Sequence, residues 1–322
     1  MKSSHERWSR WGTEAAVFNS RFYADDDDLH ALQALARLHL SARPASAFHP
    51  GDLAWWAYYN PWDSTQESVY LWRGLRDVTL GGVFCVPFHG EYDLIVHPGA
   101  SSEIIDAMIQ WSENFMLARL RADPSLRNHV SRLSSPVFEQ HESLNRAFAA
   151  HGYEPEDHLV VFGRTLDEPL PPPRLPPGYH FLEVMQPHWA ERRAKLHAQA
   201  FAPSRMNEAH YLHLMSAPCY HPALDIVIVA PDGTFASFAL AWADEELRTG
   251  EFEPVGTHPS HRRLGLGHAA LREGLRRLRA LGMEQATLCC DATHVGNLTF
   301  YQGLGFTEQS RVRLWTRPCE QE

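Results

Sequence analysis

The clearest periodic signal in the chain runs from Gly267 to Leu281. Leu271, Leu275, Leu278 and Leu281 fall on one stripe, opposite Arg272, Arg276 and Arg279. A 3.6-residue period with a single apolar face predicts an amphipathic helix, closed by Gly282. Upstream, Tyr179 to Val184 reads as extended and Pro187 to Phe201 as helical. Leu224 to Ala230 and Phe235 to Trp242 read as strands around a Pro231-Asp-Gly233 turn, and Glu284 to Asp291 as another strand. The second half thus reads strand, helix, strand, strand, helix, strand, helix, strand. In the first half, Asp25 to Asp28 precede an apolar-periodic stretch, Leu29 to Leu40. Acidic residues there favour a helix N-terminus through the macrodipole rather than a calcium site.

Leu166 to Gly178 carries six prolines, which remove backbone donors and fix φ. It predicts a stiff linker at 169–178 between a domain of residues 1–168 and one of residues 179–322. The halves repeat one local pattern. Phe148-Ala-Ala-His-Gly-Tyr153 precedes the alternating run His158 to Phe162, and Tyr301-Gln-Gly-Leu-Gly-Phe306 precedes Arg311 to Trp315. In each, a helix ends at a glycine suited to a left-handed cap, then an aromatic, then a strand. Each half also carries an extended run ending in His-Pro, at His97-Pro98 and His258-Pro259.

A chain of 322 residues favours two domains, and 44% hydrophobic with 21% charged residues is a soluble globular composition. The net charge of -10 argues against a general nucleic-acid binder. The first ten residues lack an apolar core for export, and no apolar run approaches the ~20 residues that span a bilayer. The five cysteines show no CxxC pairing, so reduced thiols and a cytoplasmic location are expected. The 20 histidines are scattered without an HExxH or Cys/His cluster, and no metal site is expected.

The segment Glu251-Phe-Glu-Pro-Val-Gly-Thr-His-Pro-Ser-His-Arg-Arg-Leu-Gly-Leu-Gly-His268 carries the chemistry. Backbone N–H groups at a helix start, with no Cβ on Gly265 or Gly267, offer a site for phosphate oxygens. Arg262 and Arg263 add fixed positive charge, and Glu251 and Glu253 stand upstream where a base could act. Gly267-His268-Ala269 departs from the GK[ST] of a triphosphate loop. Gly265-Leu-Gly267-His-Ala-Ala270 satisfies a dinucleotide fingerprint, with Asp291 near the place of a ribose-binding acid. Two features count against that reading. His258 to Leu264 separates the glycines from the preceding strand, and too little chain follows for a second half-sheet.

Arg262-Arg-Leu-Gly265-Leu-Gly267 resembles the Q/R-x-x-G-x-G/A signature of the GNAT superfamily of N-acetyltransferases. Asn297-Leu-Thr-Phe-Tyr301-Gln-Gly-Leu-Gly305-Phe306 resembles that family's N-x-x-x-x-Y-x-x-x-G-F ending. The resemblance covers Tyr179 to Arg317; over the first half it rests on topology and the Gly152-Tyr153 ending. It implies an α/β (α+β) fold of two tandem GNAT-like domains, each a mixed, mostly antiparallel sheet flanked by helices. It also implies a gap between the fourth and fifth strands that holds the pantetheine arm of acetyl-CoA.

Carried over by position, Val255, Gly256 and Thr257 would offer backbone groups to the pantetheine. Arg262, Arg263, Leu264, Gly265, Leu266, Gly267 and His268 would hold the pyrophosphate, and Asn297 would touch the cosubstrate arm. Glu251 occupies the family's usual base position, with Glu253 on the same strand face, and Tyr301 would protonate the leaving thiolate. Pro254 departs from the pattern by removing a strand donor, which fits a bulge. Cys289 and Cys290 sit in an apolar strand and read as inert thiols.

The first half lacks the glycine-arginine turn and has Phe148 where the second has Tyr301, so it is expected to be degenerate. Its tryptophans, Trp55, Trp56, Trp62 and Trp72, are numerous enough to line a pocket near the acceptor. The expected activity is acetyl transfer to a small primary amine, without metal, nucleic acid or membrane. The alternative is a non-catalytic acyl-CoA-binding sensor or scaffold.

Overall fold

A computed structural model describes residues 19–59, 64–293 and 295–319. In chain order the first half contributes β1 (Asn19–Phe22), α1 (Asp26–Ala42), α2 (Pro50–Tyr58), α3 (Thr65–Ser68), β2 (Val69–Arg73), β3 (Thr79–Val86) and β4 (Glu91–Val96). It continues with α4 (Ser102–Ala122), α5 (Pro124–His129), β5 (Arg132–Phe138), α6 (Glu142–Ala150) and β6 (Glu154–Thr165). The second half contributes β7 (His180–Phe181), α7 (Ala190–Ala200), α8 (Glu208–Met215), β8 (Asp225–Val229), β9 (Phe235–Asp244) and β10 (Thr249–Thr257). It ends with α9 (Leu266–Ala280), β11 (Gln285–Asp291), α10 (Val295–Gln302) and β12 (Thr307–Pro318).

Two compact units emerge, and they do not follow a simple halving of the chain. One comprises residues up to Leu53, Trp62–Leu159 and the stretch from Ser310; the other comprises Ala54–Pro61 and Val160–Gln309. The proline-rich stretch lies within the second unit, where Leu170 and Leu175 pack against its core. Partial burial of those leucines holds a segment whose prolines predicted a stiff linker against the core of the second unit.

In the first unit, β1, β2, β3 and β4 pair antiparallel in sequence order, and β4 meets β5 in parallel at Glu91↔Ser134. The other side of β5 is filled by β12, antiparallel, from Val312↔Phe138 to Pro318↔Arg132. A second-half strand therefore completes the first unit. The long helix α4 buries Ile105, Met108, Ile109, Phe115 and Met116 against Tyr92, Val96 and Trp315. The acidic start of α1 does more than favour the helix dipole. Asp25 caps it by accepting from the Asp27 N–H, while buried Asp28 accepts from Arg21 Nη1 and Nη2 at 2.6 and 2.7 Å and from Arg73 Nη2 at 2.7 Å.

In the second unit, β7, β8, β9 and β10 are antiparallel neighbours, β10 and β11 are parallel, and β6 lies beside β11. The predicted stripe on α9 is its buried face: Leu271, Leu275 and Leu278 are inaccessible, whereas Leu281, past the helix end, is 44% exposed. Close approach to the sheet requires small residues. A Cβ on Gly274 would stand 2.4 Å from the Phe252 ring, and one on Gly250 would stand 2.5 Å from Leu278. Gly250 and Phe252 thus face α9, and by strand alternation Glu251 and Glu253 face the other side. The helix α8 was not expected from the sequence; Asn207 caps it by accepting from the His210 N–H.

Candidate functional site

The site begins where β10 and β11 part. Their parallel pairing runs from Thr249↔Gln285 through Gly250↔Ala286 to Glu251↔Thr287 and goes no further. On the other side β10 stays paired to β9, with its register shifting between Phe252 and Val255. Pro254 sits in that irregularity, as its missing N–H requires. The Trp242 indole N–H donates to the Glu253 carbonyl at 2.8 Å and holds the irregular stretch down. Beyond it, Ser237 Oγ lies 3.0 Å from the Gly256 carbonyl and 2.9 Å from Thr257 Oγ1, fixing the end of the strand.

The chain then makes a short 3-10 turn, Pro259–His261, and enters α9 through Arg263 at φ 66° and Gly265 at φ 78°. Glycine is needed at 265 for its left-handed backbone, because a Cβ there would meet nothing within 4 Å. The N-cap residue, Gly265, makes no side-chain capping bond to the first N–H groups of the helix. At Gly256 the constraint is space: a Cβ would lie 2.7 Å from the Phe238 ring.

A cavity of about 570 Å³ opens at this point. It brings together Val255, Gly256 and Thr257 from β10, Arg262, Arg263 and Gly265 from the turn, Leu266, Gly267 and His268 from α9, and Asn297 and Tyr301 from α10. Leu264 does not line it and is 46% exposed. Glu251 and Glu253 lie outside its walls; Glu251 is 3% exposed and Glu253 half-buried. His261, Gly296 and Phe300 line it although sequence reasoning passed over them. Helical spacing held the signal for two of these, since 296, 297, 300 and 301 share one face of α10.

Local electrostatics distinguish the lining groups. The Arg262 guanidinium is engaged with the protein, donating to the Thr257 carbonyl at 3.3 Å and the Ala200 carbonyl at 3.2 Å. The His261 ring is set by Tyr179, whose hydroxyl lies 2.9 Å from Nδ1. His268 packs edge-on to Phe300 at 4.4 Å, and burial lowers its pKa, so the ring is neutral at pH 7. The Tyr301 hydroxyl is raised well above the usual tyrosine value, by burial first and then by the charges of Cys290, Glu253 and Cys289. It stays protonated across the physiological range. Burial pushes the Cys290 thiol up to about 11, which fits an inert thiol.

The tryptophans of the first half do not form one group. Trp72 is in the core of the first unit, 5.5 Å from the Trp111 ring. Trp55 and Trp56 lie on a helix, α2; Trp55 is buried in the second unit, 5.8 Å from His197. Trp62 lies outside the described residues.

An open helix N-terminus, a glycine at positive φ and a neighbouring strand gap fit a diphosphate with an extended arm. Residues 188–306 match the acetyltransferase (GNAT) family. The mycothiol acetyltransferase of Thermobispora bispora is 29% identical over 154 residues, 45% of this chain and 52% of that protein. That of Streptomyces coelicolor is 28% identical over 208 residues, 59% of this chain and 67% of the relative. The match thus spans about half the length of the first of these relatives. Among solved structures, a GCN5-related N-acetyltransferase from Sphaerobacter thermophilus has a TM-score of 0.65 at 20% identity, covering 95% of this chain and 97% of that one. A tandem GNAT protein from the clavulanic acid biosynthesis pathway has a TM-score of 0.61 at 15% identity, covering 95% and 99%. Over residues 188–306, which lie within the second unit, the chain is thus similar to the acetyltransferase (GNAT) family.

Proposed function

We propose that the chain is an acetyl-CoA-dependent N-acetyltransferase acting on the primary amine of a small molecule. The observation that carries this reading is the coincidence of the strand gap, the uncapped α9 N-terminus and Tyr301 around one cavity. Acetyl-CoA supplies an activated thioester when bound. The N–H groups entering α9, with Arg263, receive its diphosphate, and the exposed edge of Val255–Thr257 receives its arm. Asn297 lies alongside that arm.

The acceptor arrives as an ammonium with a pKa near 10 and must lose a proton before attack. Glu251 takes that proton, directly or through water, and Glu253 is the alternative on the same face. The amine nitrogen bonds to the acetyl carbon, the carbon–sulfur bond breaks, and Tyr301 gives its proton to the departing sulfur. Because Tyr301 is held protonated, the donor is present whenever the base is ionised.

Because relatives are named mycothiol acetyltransferase, a thiol-bearing amine joins the acceptors to test. A panel of primary amines, followed by release of free thiol from acetyl-CoA and by acceptor mass, tests the reading. Acetyl-CoA binding with no acetylated product from any amine would favour a sensor instead. No detectable acetyl-CoA binding would remove both readings.

A further inference from the structure

The face of the sheet that carries Glu251 is covered by α7 and α8. Glu251 stands opposite Trp242 of β9, and Gly256 stands opposite Phe238. Residues 238 and 242 share one face of β9 by strand alternation. On that face Phe238 packs in one core with Leu196 and Ala200 of α7 and Met215 of α8, and the Tyr220 ring meets Trp242 edge-on at 6.5 Å. An acceptor reaching Glu251 therefore comes from the side of these two helices.

Three observations tie the C-terminal end of α7 to the phosphate turn. Arg262 Nη2 donates to the carbonyl of Ala200, the last residue of α7, at 3.2 Å, and Nε donates to the Thr257 carbonyl at 3.3 Å. The last carbonyls of a helix lack partners within it and carry partial negative charge, which suits a guanidinium. Gly256 lets the helix end rest on β10, since a Cβ there would stand 3.0 Å from the Ala200 Cβ. Lys195, exposed on α7, acts through its charge on His258 at the start of the turn. The connection beyond α7 is carried by the helix, because Ser204 Oγ lies 3.2 Å from His197 Nδ1. Arg262 read from the sequence as a phosphate ligand, yet its Nε and Nη2 are spent on protein carbonyls.

We propose that Arg262 is a positioning residue, which transmits occupation of the turn by a diphosphate to the end of α7 and the 201–207 connection. The inference rests on the reading that the turn receives acetyl-CoA. A seated diphosphate fixes the main chain of 262–268, and with it the root of the Arg262 side chain. From that fixed root its bond to Ala200 restrains the helix end and the segment that follows. The diphosphate itself is left to Arg263 and the main-chain N–H groups. The cosubstrate thereby steadies the side from which the acceptor meets Glu251.

The test uses the full chain with CoA as probe, calorimetry for affinity, and hydrogen exchange of the 198–206 segment at saturating CoA. In the wild type CoA should slow that exchange about fivefold or more. Arg262→Gln should bind CoA within about threefold of the wild type and lose the protection, whereas Arg263→Gln should weaken CoA binding about tenfold. Arg262→Lys keeps a charge and a donor for the Ala200 carbonyl and should restore part of the protection. Arg262 is exposed, so its variants should keep the wild-type thermal midpoint. Unprotected 198–206 in CoA-bound wild type, full protection in Arg262→Gln, or CoA binding by Arg262→Gln as weak as by Arg263→Gln overturns the proposal and leaves the acetyl-CoA reading standing. Absence of CoA binding to the wild type overturns both.

Discussion

Glu251 and Glu253 were equivalent in the sequence, two acids on one strand face, and the structure separates them by burial and neighbourhood. Glu251 is 3% exposed at the last pair before the gap; Glu253 is half-buried, and its charge acts on Tyr301. Removing a general base costs typically 10²–10⁴ in rate. Glu251→Gln is expected to lower kcat about 100-fold or more with acetyl-CoA KM nearly unchanged, while Glu253→Gln costs less than tenfold; steady-state kinetics on both variants decides, and the reverse ranking makes Glu253 the base. Tyr301→Phe should lower kcat with a wild-type alkaline limb up to pH 10, since the hydroxyl titrates above that range. A normal turnover number would remove its acid role. What the sequence could not show is burial, which depends on β9 and β11 closing over β10 from residues far away in the chain.

The element that most clearly reads out of the sequence is α9, because period, cap and chemistry coincide there. Gly265 sits at φ 78°, a conformation costing other residues about 1–3 kcal/mol. Gly265→Ala is therefore expected to raise the acetyl-CoA Kd roughly tenfold, by calorimetry, with the thermal midpoint of the chain lowered only slightly. Unchanged affinity would mean that the turn's N–H groups do not meet the diphosphate. Elements without such coincidence were harder to see. The helix α8 is short, His210-Tyr-Leu-His-Leu-Met lacks a clean stripe, and its signal is mainly the Asn207 cap. Trp55 and Trp56 lie on α2, and Pro50 and Asp52 at its start are the signals that mark it as a helix. At α1, four aspartates told of a helix start but not that Asp28 turns inward between Arg21 and Arg73. Burial works to raise the Asp28 carboxyl, but hydrogen bonds from Arg21, the Ala24 N–H and Arg73 outweigh it, and the pKa ends below its ordinary value. A depressed folded pKa contributes stability above the unfolded value, near pH 4, that is lost as pH falls through the folded one. Asp28→Asn is expected to lose about 3 kcal/mol at pH 7 by denaturant unfolding and much less at pH 2; an equal loss at both would show that the charge is not what holds the clamp.

At the scale of the whole molecule, the proline-rich segment marks where the sequence changes character but not where one unit stops and the other starts. Periodicity reports which face of a strand is buried, and is silent on which neighbour covers its edge. The first unit takes its strand beside β5 from Val312–Pro318, and with it Trp315, buried at 6% exposure and stacked on Phe148 at 6.3 Å. The second unit takes Val160, Phe162 and Leu166 into its core from the segment preceding the prolines. Cutting the chain after Glu168 therefore deprives both pieces. The piece ending at Glu168 keeps β5 with a bare edge and a cavity where Trp315 stood, and loss of one large buried aromatic alone costs about 3–5 kcal/mol. Such a loss is a large fraction of the about 5–15 kcal/mol that stabilises an ordinary domain. Residues 1–168 made alone should show weak near-UV circular dichroism and no sharp thermal transition, and residues 179–322 should do likewise. Adding back a piece spanning 154–322 should restore a cooperative transition to the first, because it returns β12 as a partner for β5. A cooperative transition of residues 1–168 alone, at the midpoint of the intact chain, would mean that the proline boundary is the true division and that the borrowed strand adds nothing to stability.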